Sequence, residues 1–199
     1  MFDFNTFLEF ALGLSLSAAA GFRVFVPLLA LSAAAVFGHF DWPSNLDWIE
    51  TPEALAVFAV ACILEIGGYY LPWFDNLLDT VATPAAIIVG TIVSASSLSP
   101  AMDPVAQWAL AIVAGGGTAG LTKLLTNLLR LTSTTISGGL ANPIVATVEL
   151  VAAIGLSLLA ISVPLVALSM VAVLLLVSLQ QLWLLFQKIN RASRKSSRA

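Results

Sequence analysis

Six apolar stretches, at residues 4–37, 53–71, 76–97, 105–131, 141–162 and 164–187, take up nearly the whole chain. A helix needs about 20 such residues to cross the hydrocarbon of a bilayer. Inside that layer only helices and closed barrels can satisfy their own backbone. The runs therefore predict an all-α polytopic membrane helix bundle of about six transmembrane spans. Charge agrees: only 10% of the 199 residues are charged, against about 25% in a soluble domain, too few to cover a water-facing surface. Residues 1–187 read as a single integral membrane domain and 188–199 as a basic tail.

The joints fall at turn signals: "YYLPWFDN", "SSLSPAMDP", "RLTSTTISGGLANP" and "SVP". The first run is too long for one straight span and is punctuated by Gly21 and Pro27. It is expected to be broken, either as one interrupted crossing or as a re-entrant hairpin, which would move the amino terminus to the other side. The fourth is expected to break near its glycines. Five of the eight Lys and Arg residues lie in the tail: Lys188, Arg191, Arg194, Lys195 and Arg198. An acidic loop, "HFDWPSNLDWIETPE", holds Asp41, Asp47, Glu50 and Glu53. The positive-inside rule places the tail in the cytoplasm and that loop outside. Trp42, Trp48, Trp73, Trp108 and Trp183 sit near the predicted span ends, as an aromatic belt would. No basic residue precedes the first apolar run, so no removable signal peptide is expected. Cys62 is the single cysteine, which precludes an intrachain disulfide.

A short internal similarity links "VACILE" (60–65) to "IVATVE" (144–149), each ending in a glutamate within an apolar helix. Each follows a glycine-interrupted helix with a cation, Gly21 with Arg23 and Gly120 with Lys123. Units 4–97 and 105–187 would then form an inverted 3+3 repeat, with binding at their interface. Chance similarity among Ala-, Val- and Leu-rich helices is the competing explanation.

Ionisable side chains at membrane depth cost about 2.5–3.5 kcal/mol each on insertion scales. Here they are Arg23, Glu65, Asp79, Lys123, Arg130 and Glu149, three of each sign. Pairing within each unit predicts Arg23 with Glu65 and Lys123 with Glu149; such pairs could serve helix packing alone. In "LTKLLTNLLRL", Lys123, Asn127 and Arg130 are spaced i, i+4, i+7 and share a helical face. That stripe is expected to line a cavity or meet acidic partners, with snorkelling of Arg130 as the bland alternative. Asp75 reads as an N-cap and Asp79 as a first-turn acid. Asn142 followed by Pro143 reads as N-cap and first helical residue. With Arg130, the hydroxyls of residues 132–135, Ser137, Gly138 and Gly139, it resembles an anion-binding mouth at a helix N-terminus. The alternative is a connection whose hydroxyls satisfy their own backbone. "GGGTAG" (115–120) matches a dinucleotide fingerprint only formally, since no strand precedes it; close packing by Gly116 and Gly120 is expected instead. His39 and Cys62 stand alone, so no metal site or cofactor is expected.

"AAAGFRVFVPLLAL", the "LE" before "LPWFDNLLDTVATP", and above all "RLTSTTISGGLANPIVATVEL" resemble the bacterial integral membrane proteins grouped as domain of unknown function 4126. The resemblance covers nearly the whole chain. It implies a small multi-span protein of the bacterial inner membrane and no particular activity. Gly21, Arg23, Pro27, Glu65, Asp75, Asp79, Arg130, Gly138, Gly139, Asn142, Pro143 and Glu149 fall in its blocks, whereas Lys123 lies in a less distinctive stretch.

The functional expectation is a small transporter or channel-like permease for an anionic or zwitterionic solute, its buried charges lining a mid-membrane cavity. A lipid flippase or scramblase that binds a phosphate head group is the first alternative, and a non-transporting scaffold the second. No enzymatic or nucleic-acid-binding role is expected. Partners are membrane lipids and a small solute or ion; the oligomeric state, a homo-oligomer included, stays open.

Overall fold

The computed structural model describes residues 4–38, 47–71, 74–99 and 101–196, with the side chains of 74–76 and 188–196 outside that description. His39, Asp41, Trp42, Trp73 and the capping role of Asp75 thus lie outside the described residues. The chain runs α1 (Phe4–Phe22), α2 (Phe25–Gly38), a 3₁₀ turn (Asp47–Ile49), α3 (Pro52–Tyr69), α4 (Phe74–Ser96), α5 (Pro104–Leu110), a π-helical stretch (Ala111–Gly116), α6 (Gly117–Ser137), α7 (Asn142–Ser162) and α8 (Pro164–Ser196). Among the described residues, five helices are long and apolar enough to cross a membrane: Pro52–Tyr69, Leu77–Ser96, Pro104–Ser137, Asn142–Ser162 and Pro164–Gln187.

The first apolar run supplies a pair of helices that turns back on itself. α1 runs antiparallel to α4: Gly13 lies against Ser97 and Ser94, and the Ser17 hydroxyl is 2.7 Å from the Gly90 carbonyl. α2 runs antiparallel to α3, since Val24 meets Glu65 while the Ser32 hydroxyl donates to Ile49 O at 2.7 Å. α3 and α4 are themselves antiparallel, joined by a short link at residues 70–73. The start of α1 and the end of α2 therefore lie together at the far end of the bundle, beside the α4–α5 connection. The tip, Arg23 and Val24, dips toward the near end, which carries the α3–α4 and α6–α7 connections. A helical hairpin thus takes the place of the first of six expected spans, and among the described residues five helices remain long and apolar enough to cross.

α1 is the centre of the bundle. Its residues 15–21, all Ser, Leu, Ala or Gly, are buried, which lets α4, α6, α7 and α8 approach it closely. Leu12 and Leu16 join Leu28, Leu31, Phe58, Val93, Leu156 and Val171 in the main apolar core at the far end. A Cβ on Gly21 would sit 2.5 Å from Thr122 Cβ, and one on Gly116 2.5 Å from Thr91 Oγ1, so the contacts of α1 with α6 and of α4 with the π-helical stretch both depend on missing side chains. Gly120 meets only Ile87, at 3.4 Å, so Gly115 and Gly116 carry the close packing expected of Gly116 and Gly120. The fourth apolar run is widened through its π-helical turn at Ala111–Gly116 without being interrupted. Trp48, Trp108 and Trp183 are exposed on the outside of the bundle, the first two toward the far end and the third toward the near end.

A hairpin that does not cross, followed by five crossings, would put the two chain ends on opposite sides of the membrane. In a Cys62→Ser background, cysteines introduced at Asn5 and after Ala199 should react with a membrane-impermeant maleimide from opposite sides of sealed vesicles. Labelling of both from the same side would show that the first run crosses.

Candidate functional site

The break between α1 and α2 creates a problem that a second helix solves. α1 ends where Arg23 N–H donates to Ala19 O at 3.0 Å. α2 then starts inside the bundle with the orphan amides of any helix N-terminus. Pro27 in its first turn has no amide to satisfy. Val24 N–H donates to Glu65 Oε1 at 2.8 Å and Phe25 N–H to Glu65 Oε2 at 3.1 Å. A carboxylate from α3 thus caps α2, favoured by the partial positive charge of the helix end. Glu65 is therefore not the partner of the Arg23 side chain that the repeat suggested.

Arg23, 1% exposed, turns the other way. Its Nη2 donates to Ala146 O at 2.9 Å and stands 3.5 Å from Glu149 Oε2. Its guanidinium lies over the Tyr69 ring, 3.8 Å from the centroid. Arg130 also lies over that ring, at 4.3 Å. It grips Glu149 with two hydrogen bonds, Nε to Oε1 at 3.0 Å and Nη2 to Oε2, and stands 3.8 Å from Asp79 Oδ2. Lys123 Nζ donates to Asp79 Oδ1 at 2.9 Å and to the Tyr69 hydroxyl at 3.0 Å, and that hydroxyl lies 3.1 Å from Asp79 Oδ1. Five of the six intramembrane charges thus meet around one buried phenol, and the sixth, Glu65, lies one helical turn before it on α3. The pairing expected within each unit is replaced by pairing between units: Arg23 with Glu149, and Lys123 with Asp79. The reason is packing, since α1 of the first unit lies against α6 and α7 of the second, and α4 lies against α6.

Tyr69 was not singled out from the sequence, where it reads as part of a turn. The available signal was its i+4 spacing from Glu65, which places both on one face of α3. Its ring fills the point where the charges converge, and cation–π contact gives each guanidinium a polarisable surface in place of water. Asn127 continues the polar stripe of α6: its Nδ2 donates to Thr83 Oγ1 at 3.3 Å, while its Oδ1 is buried without a described partner. The stripe therefore meets α4 and its acid. Arg23 keeps two further donors, Nε and Nη1, buried without a described partner.

The hydroxyl-rich connection follows Arg130 along α6. Thr132, Thr135 and Ser137 donate to the carbonyls of Leu128, Leu131 and Ser133 in their own helix. Ser137 Oγ also accepts from Ala141 N–H at 3.0 Å. Gly138 (φ 64°) and Gly139 (φ 92°) occupy left-handed conformations that end α6. Asn142 does not cap α7. The helix starts one residue earlier than expected, with Ala141 at the cap position, and the Asn142 amide hydrogen-bonds to Thr134 Oγ1 instead. Three of the connection's hydroxyls are thus spent on its own backbone, and Ser133 and Ser137 share a groove with Glu149.

Two grooves open beside these charges, one at Glu65 and the other at Glu149. One, of about 910 Å³, runs between α3 and α4 and is lined by Val24, Phe25, Glu65, Leu64, Leu78 and Val81 among others. The other, of about 380 Å³, runs between α6 and α7, with Phe22, Thr126, Ser133, Ser137, Val145 and Glu149 in its wall. Each is mostly apolar and has one carboxylate in its lining.

Removing one member of a buried ion pair typically costs about 3–5 kcal/mol, because the other charge is left uncompensated. Asp79→Leu should destabilise the protein by about that much. Adding Lys123→Met to it should recover most of the loss. Chemical unfolding in micelles measures both, and a double variant no more stable than the single one would show that Lys123 does not depend on Asp79.

No curated protein and no solved structure matches the chain. A family model does match, over residues 10–184, which includes every member of the charge cluster, and the chain accordingly belongs to the family described as Domain of unknown function (DUF4126).

Proposed function

We propose that this protein is a small permease of the bacterial inner membrane that moves an anionic or zwitterionic solute, with the charge cluster around Tyr69 as its binding and gating centre. The observation that carries this is the convergence of Arg23, Asp79, Lys123, Arg130 and Glu149 on Tyr69, drawn from four helices and the tip of a re-entrant hairpin. Holding a bundle together does not require so many charges at depth; ionised groups inside a membrane more often mark a substrate or ion path. The cations would offer positive charge to the solute, and the carboxylates would balance them between cycles.

The inverted 3+3 arrangement belongs to the same proposal. α3 and α4 run in the opposite sense to α7 and α8, as inverted units would. The ion pairs Arg23–Glu149 and Lys123–Asp79 cross from one unit to the other, so rocking of the units would break and remake them. The structure is then a closed form, with the solute's place taken by the protein's own counter-charges. The tail would face the cytoplasm, on the side of the near end.

The two lateral grooves favour a second reading, a lipid-handling protein that binds a head group. Complete pairing of the carboxylates would also suit a scaffold that moves nothing. Reconstitution into liposomes separates the three. For a permease, a panel of small anions and zwitterions should include at least one whose flux exceeds that of empty vesicles and falls at least tenfold in folded Arg23→Ala and Glu149→Gln proteins. Flux that both variants leave unchanged would remove the cluster from the path. Acceleration of lipid exchange between leaflets without solute flux would select the lipid reading, and neither activity would select the scaffold.

A further inference from the structure

The groove between α6 and α7 has a buried carboxylate in its wall. We infer that this groove is the route by which a proton reaches Glu149, and that protonation of Glu149 hands Arg130 and Arg23 over to an anionic solute. Three observations meet here. Glu149 is only 2% exposed, yet it lines this groove of about 380 Å³. Thr126, Ser133 and Ser137 in the same wall are spaced i, i+7, i+11 and share one face of α6. Ser137 stands at the α6–α7 turn and Thr126 about three helical turns deeper, with Ser133 between them. The hydroxyls of Thr126 and Ser137 donate to carbonyls of their own helix, at 2.9 and 2.7 Å. Ser133 Oγ is buried with no described partner, so it can both donate and accept in the groove wall.

The sign of the charge in the wall decides what enters. An ionised carboxylate repels an anion, and among the described residues no Lys or Arg lines the groove, so the solute itself is not admitted this way. A metal ion exchanges its water for several oxygens, and here the hydroxyls of Thr126, Thr132 and Ser137 are already spent on helix carbonyls. A proton needs only hydroxyls and water as steps and one carboxylate oxygen as its seat. Ionised, Glu149 accepts from Arg130 Nε and Nη2 and stands 3.5 Å from Arg23 Nη2. Neutral, it has no charge to set against either guanidinium, and one of its oxygens becomes a donor. One proton and one negative charge of solute arriving together leave the net charge of the cluster as it was. The charged and titratable groups around Glu149 are Arg23 at the hairpin tip, Lys123 and Arg130 on α6, Asp79 on α4, and Cys62, Glu65 and Tyr69 on α3. Glu9 of α1 lies at the far end, and α2 and residues 164–187 of α8 bring none. Asp79 stays with Lys123, and Glu65 with the α2 amides.

This inference rests on the permease proposal for its use in transport, but its test reads protonation and access without flux. The probe is dicyclohexylcarbodiimide, an apolar reagent that modifies a carboxylic acid. The acid proton goes to one of its nitrogens, the carboxyl oxygen bonds to its central carbon, and the adduct rearranges to a stable N-acylurea. The full-length protein in nanodiscs would be treated at pH 8 and pH 5, and the modified residue located by peptide mass spectrometry. Glu149 should be modified at least tenfold faster at pH 5 than at pH 8. Leu129→Trp and Val145→Trp, each filling the groove outside the charge cluster, should slow that reaction at least tenfold at pH 5. Leu64→Trp, which fills the α3–α4 groove instead, should leave it unchanged. Leu129 is 51% exposed, so its variant keeps the test decisive should the one at Val145 not fold. No modification of Glu149 at pH 5 in the wild type, or modification that the folded groove-filling variants leave unchanged, would overturn the inference. Modification without any solute flux would count against the permease alone. Solute flux with Glu149 unmodified would count against this route alone.

Discussion

An unpaired charge in hydrocarbon is among the most expensive things a folded chain can carry, and the architecture follows from avoiding it. Three cations and three carboxylates are distributed over five parts of the sequence that are far apart along the chain. The bundle brings them to one depth, where the Glu149 carboxylate neutralises Arg130 with two hydrogen bonds and reaches Arg23 as well. Asp79 does the same for Lys123 and stands near Arg130. Tyr69 fills the centre, since a ring can lie against guanidinium groups and offer its hydroxyl to an ammonium without adding charge. The helices α1, α3, α4, α6 and α7 are thereby locked in register by electrostatics at the near end and by apolar packing at the far end.

The broken first helix is the other half of the same logic. Irregular backbone at membrane depth is tolerated only where its amides find acceptors within the protein. Glu65 provides them, accepting from both Val24 and Phe25. The hairpin tip is held by Glu65 on its amides and by Ala146 O, Glu149 and Tyr69 on the Arg23 side chain.

Much of this was legible in the residues. Arg23, Asp79, Lys123, Arg130 and Glu149 announce themselves because polar residues within apolar runs carry a penalty that must be met somewhere. The spacing of Lys123, Asn127 and Arg130 correctly placed them on one face. The partners were not legible, because "VACILE" and "IVATVE" suggest two self-contained units, while contact is decided by which helices pack, and α1 packs on the second unit. Tyr69 was hidden at the end of a helix in a stretch that reads as a turn. The Ser/Thr–Gly-Gly–Asn-Pro block reads equally as an anion-binding mouth or as a self-satisfied connection, because hydroxyl groups are suited both to ligands and to their own helix carbonyls, and spacing alone does not distinguish the two.

The π-helical stretch at Ala111–Gly116 sets the aim of everything beyond it. Such a turn amounts to one extra residue slipped into an α-helix, and one residue corresponds to about 100° of rotation. Without it, the face of α6 that carries Lys123, Asn127 and Arg130 would turn away from Asp79 and Tyr69. The compass bearing of the whole charged ensemble is thus decided by a single surplus peptide unit more than a full helical turn upstream.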